Sequence, residues 1–429
     1  MHIVFITNEF VSEKLSGGGL ASYLNNISRI LIRKGHEVTI VTESGIDETI
    51  DFQGITVERV KTDELIHGIQ FAGKRYLNMS RKLNRRLKSM IRKGKKIDMV
   101  QYPNVGALGL FRTKLPSVIR ISSDNMCWRR ADDPAFDVTR YYGYEDMTDL
   151  RDYLEDLTVA MGDAVYGPGI DVAKRIEMRT GVPIEIIESP CLLDADSLTS
   201  EEQFTELKGK QYILTYGTLS VMKGVYVIGE AIHDILERNK DIYYVFAGLN
   251  ADLEIAAERI KAMDYIRRKA GEYAGRVVYL GVVERKKLYS VIKGARVCAF
   301  ASRIDNFPNT CIEALYFGGI VVGTDGASFE QVISDGEEGF LFTRDDPKSF
   351  AGKIQEALMV DESRKSEIRL KAGKRLEALS EEAVYEKLIA VYDRAARRSL
   401  RDKSREKRIK GLMFGAMLKK TANRLLLKK

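Results

Sequence analysis

Ala301-Ser-Arg-Ile-Asp-Asn-Phe-Pro-Asn-Thr-Cys-Ile-Glu-Ala-Leu315 is preceded by an apolar run, Val297 to Phe300, and continues into a helix-like run, Ile312 to Phe317. This reads as strand, polar loop, helix. Asp305 stands eight positions before Glu313, with a proline-interrupted insert between them. The order puts Asp305 on a loop at the carboxyl end of a strand and Glu313 in the first turn of the next helix. In open α/β sheets that edge is where ligands bind. The segment Asn306, Phe307, Pro308, Asn309 and Thr310 would present backbone N–H groups at a helix N-terminus, a ready anion site. Acids at such a place also serve simply to complement a helix dipole. The Asn-Phe-Pro-Asn-Thr insert favours a ligand, and a sugar nucleotide would use both features: N–H donors for its diphosphate, carboxylates for its hydroxyls.

Outward from this stretch the chain divides into two α/β halves. In the first, Ile3 to Ile6 and Val38 to Thr42 read as strands around a helix from Leu20 to Arg33 that ends at Gly35. Apolar Leu24, Ile27, Leu31 and Ile32 give that helix its period. Later strands are expected at Met99 to Tyr102, Ser117 to Ile121 and Ala164 to Tyr166. The second half restarts the pattern with strands at Tyr212 to Tyr216, Tyr243 to Ala247, Val277 to Leu280, Val297 to Phe300 and Ile320 to Thr324. A helix from about Val225 to Glu237 falls among them. Strand alternating with helix means parallel, doubly wound sheets. The expected organisation is a first domain over 1–193, a polar hinge over 194–210, a second domain over 211–380, a helix over 381–400 and a basic tail over 401–429.

Two further motifs bear on chemistry. Gly17-Gly-Gly19 opens the first helix, where a glycine entrance lets backbone approach a phosphate or sugar. A dinucleotide fingerprint is not met, because Ser22 holds the place of its third glycine. In Tyr216-Gly-Thr-Leu-Ser-Val-Met-Lys-Gly224, Gly217 follows a strand and Lys223 stands just before a helix. A lysine there can offset charge developing on a departing diphosphate; alone, it reads equally well as a solvated turn residue.

The bulk numbers set bounds. With 429 residues and 45% hydrophobic content, the chain is large enough for two or three domains. No apolar run reaches the ~20 residues of a membrane-spanning helix. The N-terminus reads as a first strand rather than a leader. Cys127, Cys191, Cys298 and Cys311 show no paired spacing and read as reduced thiols. The net charge of +7 hides an asymmetry, for Arg394 to Lys429 holds fourteen Lys/Arg and two Asp/Glu, a net of +12. The remaining chain is therefore net −5. A basic tail on a mildly acidic body suggests attraction to an anionic surface.

Taken together, Gly17-Gly-Gly19, Gly35-His-Glu-Val-Thr-Ile-Val-Thr42, the strand–Gly217–Lys223-Gly224 unit, Asp305 to Leu315, Gly323-Thr-Asp-Gly-Ala-Ser-Phe-Glu330 and Asp335-Gly-Glu-Glu-Gly-Phe-Leu341 give a plain resemblance. The chain resembles the retaining glycosyltransferases that include bacterial mannosyl- and glucosyltransferases, over roughly Met1 to Leu400. The resemblance implies two Rossmann-like doubly wound domains facing across a cleft, the GT-B fold. It implies that Glu313 binds ribose hydroxyls, Asp305 lies near the transferred sugar and Lys223 contacts the diphosphate. Backbone at Phe307 to Thr310 would hold sugar or phosphate, and Gly18 and Gly19 would close on the donor. No metal or cofactor is implied; the nucleotide sugar, UDP- or GDP-linked, is a substrate.

Three departures stand out. Thr218 occupies a place where the family often has Arg, leaving Arg303 as a candidate replacement. Asp305 replaces the usual Glu. The family's N-domain loop histidine is missing, since His2, His36, His67 and His233 all lie elsewhere; Arg120 and Asp124 are candidate substitutes.

Two basic segments bear on location. Tyr76 to Ile91 carries Tyr76, Met79, Leu83, Leu87 and Met90 at helical spacing among Lys and Arg. The tail carries Ile409, Leu412, Met413, Ala416 and Met417. Either can lie in a membrane interface; the first also reads as an ordinary sheet-packed helix, the tail as a solvated charge run. No aromatic-interleaved basic motif points to nucleic acid. The expected protein is a cytoplasmic, peripheral membrane hexosyltransferase acting on a glycan or lipid-linked acceptor in bacterial surface polysaccharide synthesis. Its rivals are a soluble transferase making a small glycoside and a sugar-nucleotide-binding protein without catalysis; an oxidoreductase fits poorly.

Overall fold

A computed structural model describes residues 1–13, 18–62, 72–193, 204–255 and 258–398. They form two compact units.

Unit 1 is built on an eight-stranded sheet: β1 (His2–Thr7), β2 (Glu37–Ser44), β3 (Glu48–Phe52), β4 (Ile55–Lys61), β5 (Met99–Pro103), β6 (Ser117–Arg120), β7 (Ala164–Gly167) and β8 (Glu185–Ile186). The order is β3-β4-β2-β1-β5-β6-β7-β8, parallel except for the β3–β4 hairpin. All six residues of β1 are buried, because a central parallel strand is covered on both faces. The helices are α1 (Gly19–Arg33), α2 (Ala72–Arg92), α4 (Leu150–Met161) and α5 (Ile170–Thr180), while the short α3 (Asn125–Trp128) begins in unit 1 and ends in unit 2. Helix α1 buries Leu24, Ile27 and Leu31, and stops where Gly35 takes φ 80°.

Unit 2 repeats the plan with β9 (Gln211–Tyr216), β10 (Ile242–Ala247), a small antiparallel ladder of β11 (Asp252–Ile255) and β12 (Glu258–Lys261), then β13 (Val277–Tyr279), β14 (Val297–Phe300), β15 (Val321–Asp325) and β16 (Phe340–Thr343). The parallel sheet runs β13-β10-β9-β14-β15-β16. Its helices are α6 (Val225–Arg238), α7 (Ala262–Ala270), α8 (Arg285–Gly294), α9 (Asn309–Tyr316), α10 (Pro347–Leu358) and α11 (Glu362–Glu377). Alternate strand residues feed two cores. Ile213, Tyr244, Phe246, Val297 and Ala299 pack with α6, α7 and α10 residues such as Ile232, Ile266 and Ile354. Leu214, Val245, Cys298 and Phe300 pack with α8 and α9 residues such as Ile292 and Leu315. The period of two along each strand decides which core a side chain joins. Helix α12 (Glu381–Arg398) returns to unit 1, where His36 Nε2 lies 2.9 Å from the Tyr385 hydroxyl.

The expected strands all occur, with ends shifted by at most two residues. The structure differs from the sequence reading in three respects. The β3–β4 and β11–β12 hairpins and the edge strands β8 and β16 add strands where none was expected. Glu313 falls in the second turn of α9, because that helix starts at Asn309 rather than Ile312. The first domain is not the continuous piece 1–193: residues Cys127–Arg140 belong to unit 2, and α12 to unit 1. Of the two readings open for α2, the packed helix is the one found, since Met79, Leu83, Leu87 and Met90 are all buried. Most of the expected hinge (194–203), Gly17 and the basic tail from residue 399 lie outside the described residues.

Gly224 shows how tightly the turn after β9 is made. It precedes α6 at φ 76°, and a Cβ there would sit 1.7 Å from the Ala301 carbonyl oxygen. Both the left-handed backbone and the missing side chain are needed. Gly224→Ala should destabilise by about 2–4 kcal/mol, read as a clearly lower melting temperature; an unchanged melting curve would refute this close approach.

Candidate functional site

The site assembles at the carboxyl ends of β9 and β14, adjacent strands in the sheet of unit 2. After β9, Gly217 at φ 116° turns the chain and donates its N–H to the Ala247 carbonyl at 2.9 Å. Ser220 to Gly224 form a tight turn, with Lys223 N–H on Ser220 O (3.1 Å) and Gly224 N–H on Val221 O (2.8 Å). Lys223 is thereby held at the mouth of α6. After β14, the loop brings Asp305 back toward the same place. Its carbonyl accepts from Ser328 Oγ at 2.9 Å, and its carboxylate meets Lys223 Nζ at 2.5 Å. Two residues 82 positions apart thus form one charged pair, partly shielded from water.

The loop beyond Asp305 is anchored from below. Phe307 is buried in the core beneath α8 and α9, Pro308 is buried beside it, and the Tyr216 hydroxyl donates to the Thr310 carbonyl at 2.7 Å. Helix α9 starts at Asn309, and among the described residues no side chain caps it. Asn309 N–H is used by Phe307 O at 2.9 Å. The following N–H groups of the first turn have no intrahelical acceptor, which is the property that binds anions.

Glu313 lies one turn further on. Its carboxylate accepts from Arg285 at the start of α8, at 2.8 Å. Burial pushes the Glu313 carboxyl above the ordinary glutamate range, and the Arg285 charge only partly offsets that. Arg285 went unnoticed in the sequence because a cation in Glu-Arg-Lys-Lys reads as surface; only the packing of α8 beside α9 makes it a partner.

Other candidates find different surroundings. Arg303 does not stand in for the family's missing arginine. It is buried, and all its N–H groups are spent: on Asp345 (3.0 Å), on the carbonyls of Ala131 and Asp133 (2.8 Å each) and on those of Pro134 (3.2 Å) and Phe136 (2.8 Å). In unit 1, Gly18 and Gly19 open α1, and a Cβ on Gly18 would come within 3.2 Å of the Glu9 carboxylate. Asp124 is buried in a bidentate pair with Arg179 (3.0 Å twice), which also bonds Asp156 at 2.8 Å. Arg120 ends β6, buried, 3.7 Å from the Tyr23 ring centroid and in reach of Ser122 and Ser189 hydroxyls at 3.1 and 3.3 Å. Among the described residues Arg120 has no carboxylate partner, and its buried Nε makes no hydrogen bond. None of the four cysteines forms a disulfide; burial pushes the Cys191 and Cys298 thiols up to about 12, so neither is a nucleophile at neutral pH.

Residues 197–373, wholly within unit 2, match the family model described as glycosyl transferases group 1. A phosphatidyl-myo-inositol mannosyltransferase of Mycobacterium tuberculosis is 27% identical over 192 residues, 44% of this chain and 48% of that protein. Spore coat protein SA of Bacillus subtilis is 26% identical over 202 residues, 45% and 52% of the two chains. The chain spans about half the length of the curated relatives it matches. Whole-fold similarity is broader. Sucrose-phosphate synthase of Thermosynechococcus elongatus superposes with a TM-score of 0.69 at 15% identity, covering 91% of this chain and 98% of that one. A UDP-forming α,α-trehalose-phosphate synthase of Burkholderia xenovorans superposes at 0.70 and 12% identity, covering 92% and 100%. The fold is therefore GT-B, and its second unit carries the match to the group 1 glycosyl transferases.

The raised Glu313 carboxyl has a stability consequence. An acid whose pKa rises on folding favours its protonated form, so its contribution is lost as pH rises through the folded value. Glu313→Gln should therefore leave the ligand-free protein as stable as wild type or more so at neutral pH. That advantage should shrink on acidification, which melting curves across pH will show.

Proposed function

We propose that this protein is a glycosyltransferase that moves a hexose from a UDP- or GDP-linked donor to a glycan or lipid-linked acceptor, with retention of anomeric configuration. The observation that carries the reading is the meeting of Lys223 and Asp305 at the ends of β9 and β14, beside the uncapped start of α9. These are a cation and N–H donors for a diphosphate, and a carboxylate for sugar hydroxyls.

In this reading Lys223 swings from Asp305 to the diphosphate and offsets its charge as the glycosidic bond breaks. Asp305, released, accepts hydrogen bonds from the transferred sugar. Glu313 accepts from the ribose hydroxyls, and the backbone of Asn306 to Thr310 and Gly217 lines the phosphates. The acceptor hydroxyl attacks from the face the diphosphate leaves and gives its proton to the leaving phosphate. Support comes from the relatives: one class is named for mannosyl transfer to phosphatidyl-myo-inositol, and an Escherichia coli structural neighbour is described with bound UDP-2-fluoro glucose. A role in surface polysaccharide synthesis at the inner face of the membrane rests on the net +12 of Arg394 to Lys429. Among the described residues no helix is long and apolar enough to cross a membrane, and α2 keeps its apolar face in the core.

The first test is a thermal-shift screen against UDP, GDP and their common sugar conjugates. A ligand at 100 times its dissociation constant should stabilise by about 2.7 kcal/mol; no shift with any of them would sink the donor assignment. Lys223→Ala should lower turnover by about 10²–10³-fold, as loss of one preorganised charge contact does, measured as nucleoside diphosphate release; a silent wild type that still binds donor would instead favour a binding protein. Deleting residues 401–429 should abolish sedimentation with anionic vesicles, since each Lys or Arg near such lipid is worth about 1 kcal/mol. Equal sedimentation of both forms would remove the membrane reading.

A further inference from the structure

The chain leaves unit 1 after Met126, runs through unit 2 as the strap Cys127–Arg140, and returns at Tyr141. We propose that Trp128, at the head of this strap, is a wall of the pocket for the transferred sugar and helps decide which sugar is accepted. The proposal rests on the transferase reading above and names a specificity-determining residue within it.

The strap is fixed to the site at both of its working loops. Arg303, on the loop after β14, grips four strap carbonyls, those of Ala131, Asp133, Pro134 and Phe136. Met222, next to Lys223, donates its N–H to Asp132 Oδ1 at 3.0 Å and accepts the Arg303 N–H at 2.9 Å. Strap, Lys223 turn and Asp305 loop are thus pinned together through Met222 and Arg303. This places Trp128 over the charged pair: Lys223 Nζ lies 5.6 Å from its ring centroid and 2.5 Å from Asp305.

Trp128 is half-buried, yet its indole N–H is enclosed and has no hydrogen-bond partner among the described residues. A buried tryptophan N–H ordinarily finds an acceptor, and leaving one unmade is costly. A sugar offers what this ring lacks, a C–H face to lie on the indole and hydroxyls to accept from its nitrogen. When a diphosphate draws Lys223 away, the indole and Asp305 lose the same neighbour, and sugar hydroxyls would fill the space on both sides. An axial and an equatorial hydroxyl would meet the indole N–H differently, which is how such a residue discriminates among hexoses. This is the only tryptophan of the chain, so its fluorescence reports the site without labelling.

The test uses the full chain with UDP, GDP, UDP-glucose and GDP-mannose as probes. Trp128→Phe keeps an aromatic ring and removes the N–H. In calorimetry it should weaken the bound sugar conjugate by about tenfold, the worth of one hydrogen bond to a group left otherwise unpaired. Affinity for the matching free nucleoside diphosphate should stay unchanged, which also shows that the variant is folded. In wild type, the sugar conjugate should shift Trp128 emission more than the free nucleoside diphosphate does. Unchanged conjugate affinity in Trp128→Phe, or equal loss for conjugate and free nucleotide, would overturn the proposal while leaving the transferase reading intact. A wild type that binds none of the four probes overturns both.

Discussion

Everything at the site depends on the change of direction between β9 and β14. These strands are hydrogen-bonded neighbours, but the chain reaches them by opposite routes. From β9 it winds out through α6 to β10 and β13; from β14 it winds the other way through α9 to β15 and β16. The loops leaving the two strands therefore diverge, and a crevice opens between them at the carboxyl edge. Lys223 sits on one side of that opening and Asp305 on the other. Their pairing follows from topology, since no local preference brings together residues 82 positions apart.

The second constraint is Arg303. A guanidinium taken out of water costs several kcal/mol unless every N–H is answered. Here the answer comes mostly from backbone carbonyls of a distant segment. Carbonyls serve better than carboxylates for this purpose: they saturate the fork while leaving one net positive charge, with Asp345 alone to balance it. A strap whose carbonyls would otherwise need water is tied into unit 2. The arginine considered as a replacement for the one missing at Thr218 is spent on architecture.

What could be read in the sequence follows burial. Strands buried on both faces appear as continuous apolar runs, and each of these was legible: Ile3 to Ile6, Tyr212 to Tyr216, Val297 to Phe300. The hairpins were not. Strand β3, Glu-Thr-Ile-Asp-Phe, is largely exposed at a sheet edge, and β12 carries Glu258, Arg259 and Lys261 toward solvent. Their pairing comes from cross-strand contacts that composition does not announce. In the candidate site, Asp305, Glu313 and Lys223 were legible because each follows a strand at a loop or helix start and the motifs occur together in one half of the chain. Arg285, Trp128 and the true use of Arg303 were not, because each is defined by a partner remote in sequence. Helix α2 shows the reverse case: its basic, amphipathic pattern fits a membrane face as well as a core, and only the neighbours that bury Leu83 and Leu87 decide.

The two acids of the site are each answered by a cation of the same unit. Asp305 rests on Lys223 and Glu313 on Arg285, so neither acid is left without a counterion. The two pairs are not equivalent. Lys223 carries a compact ammonium on a flexible stem, which a diphosphate can redirect at little cost. Glu313 is held by the planar fork of a half-exposed arginine, and burial still raises its pKa despite that partner. A carboxylate so poorly compensated gains from any further hydroxyl donors that reach it. Burying Glu313 with a single half-exposed counterion is therefore a cost to the folded chain, carried by the second turn of α9.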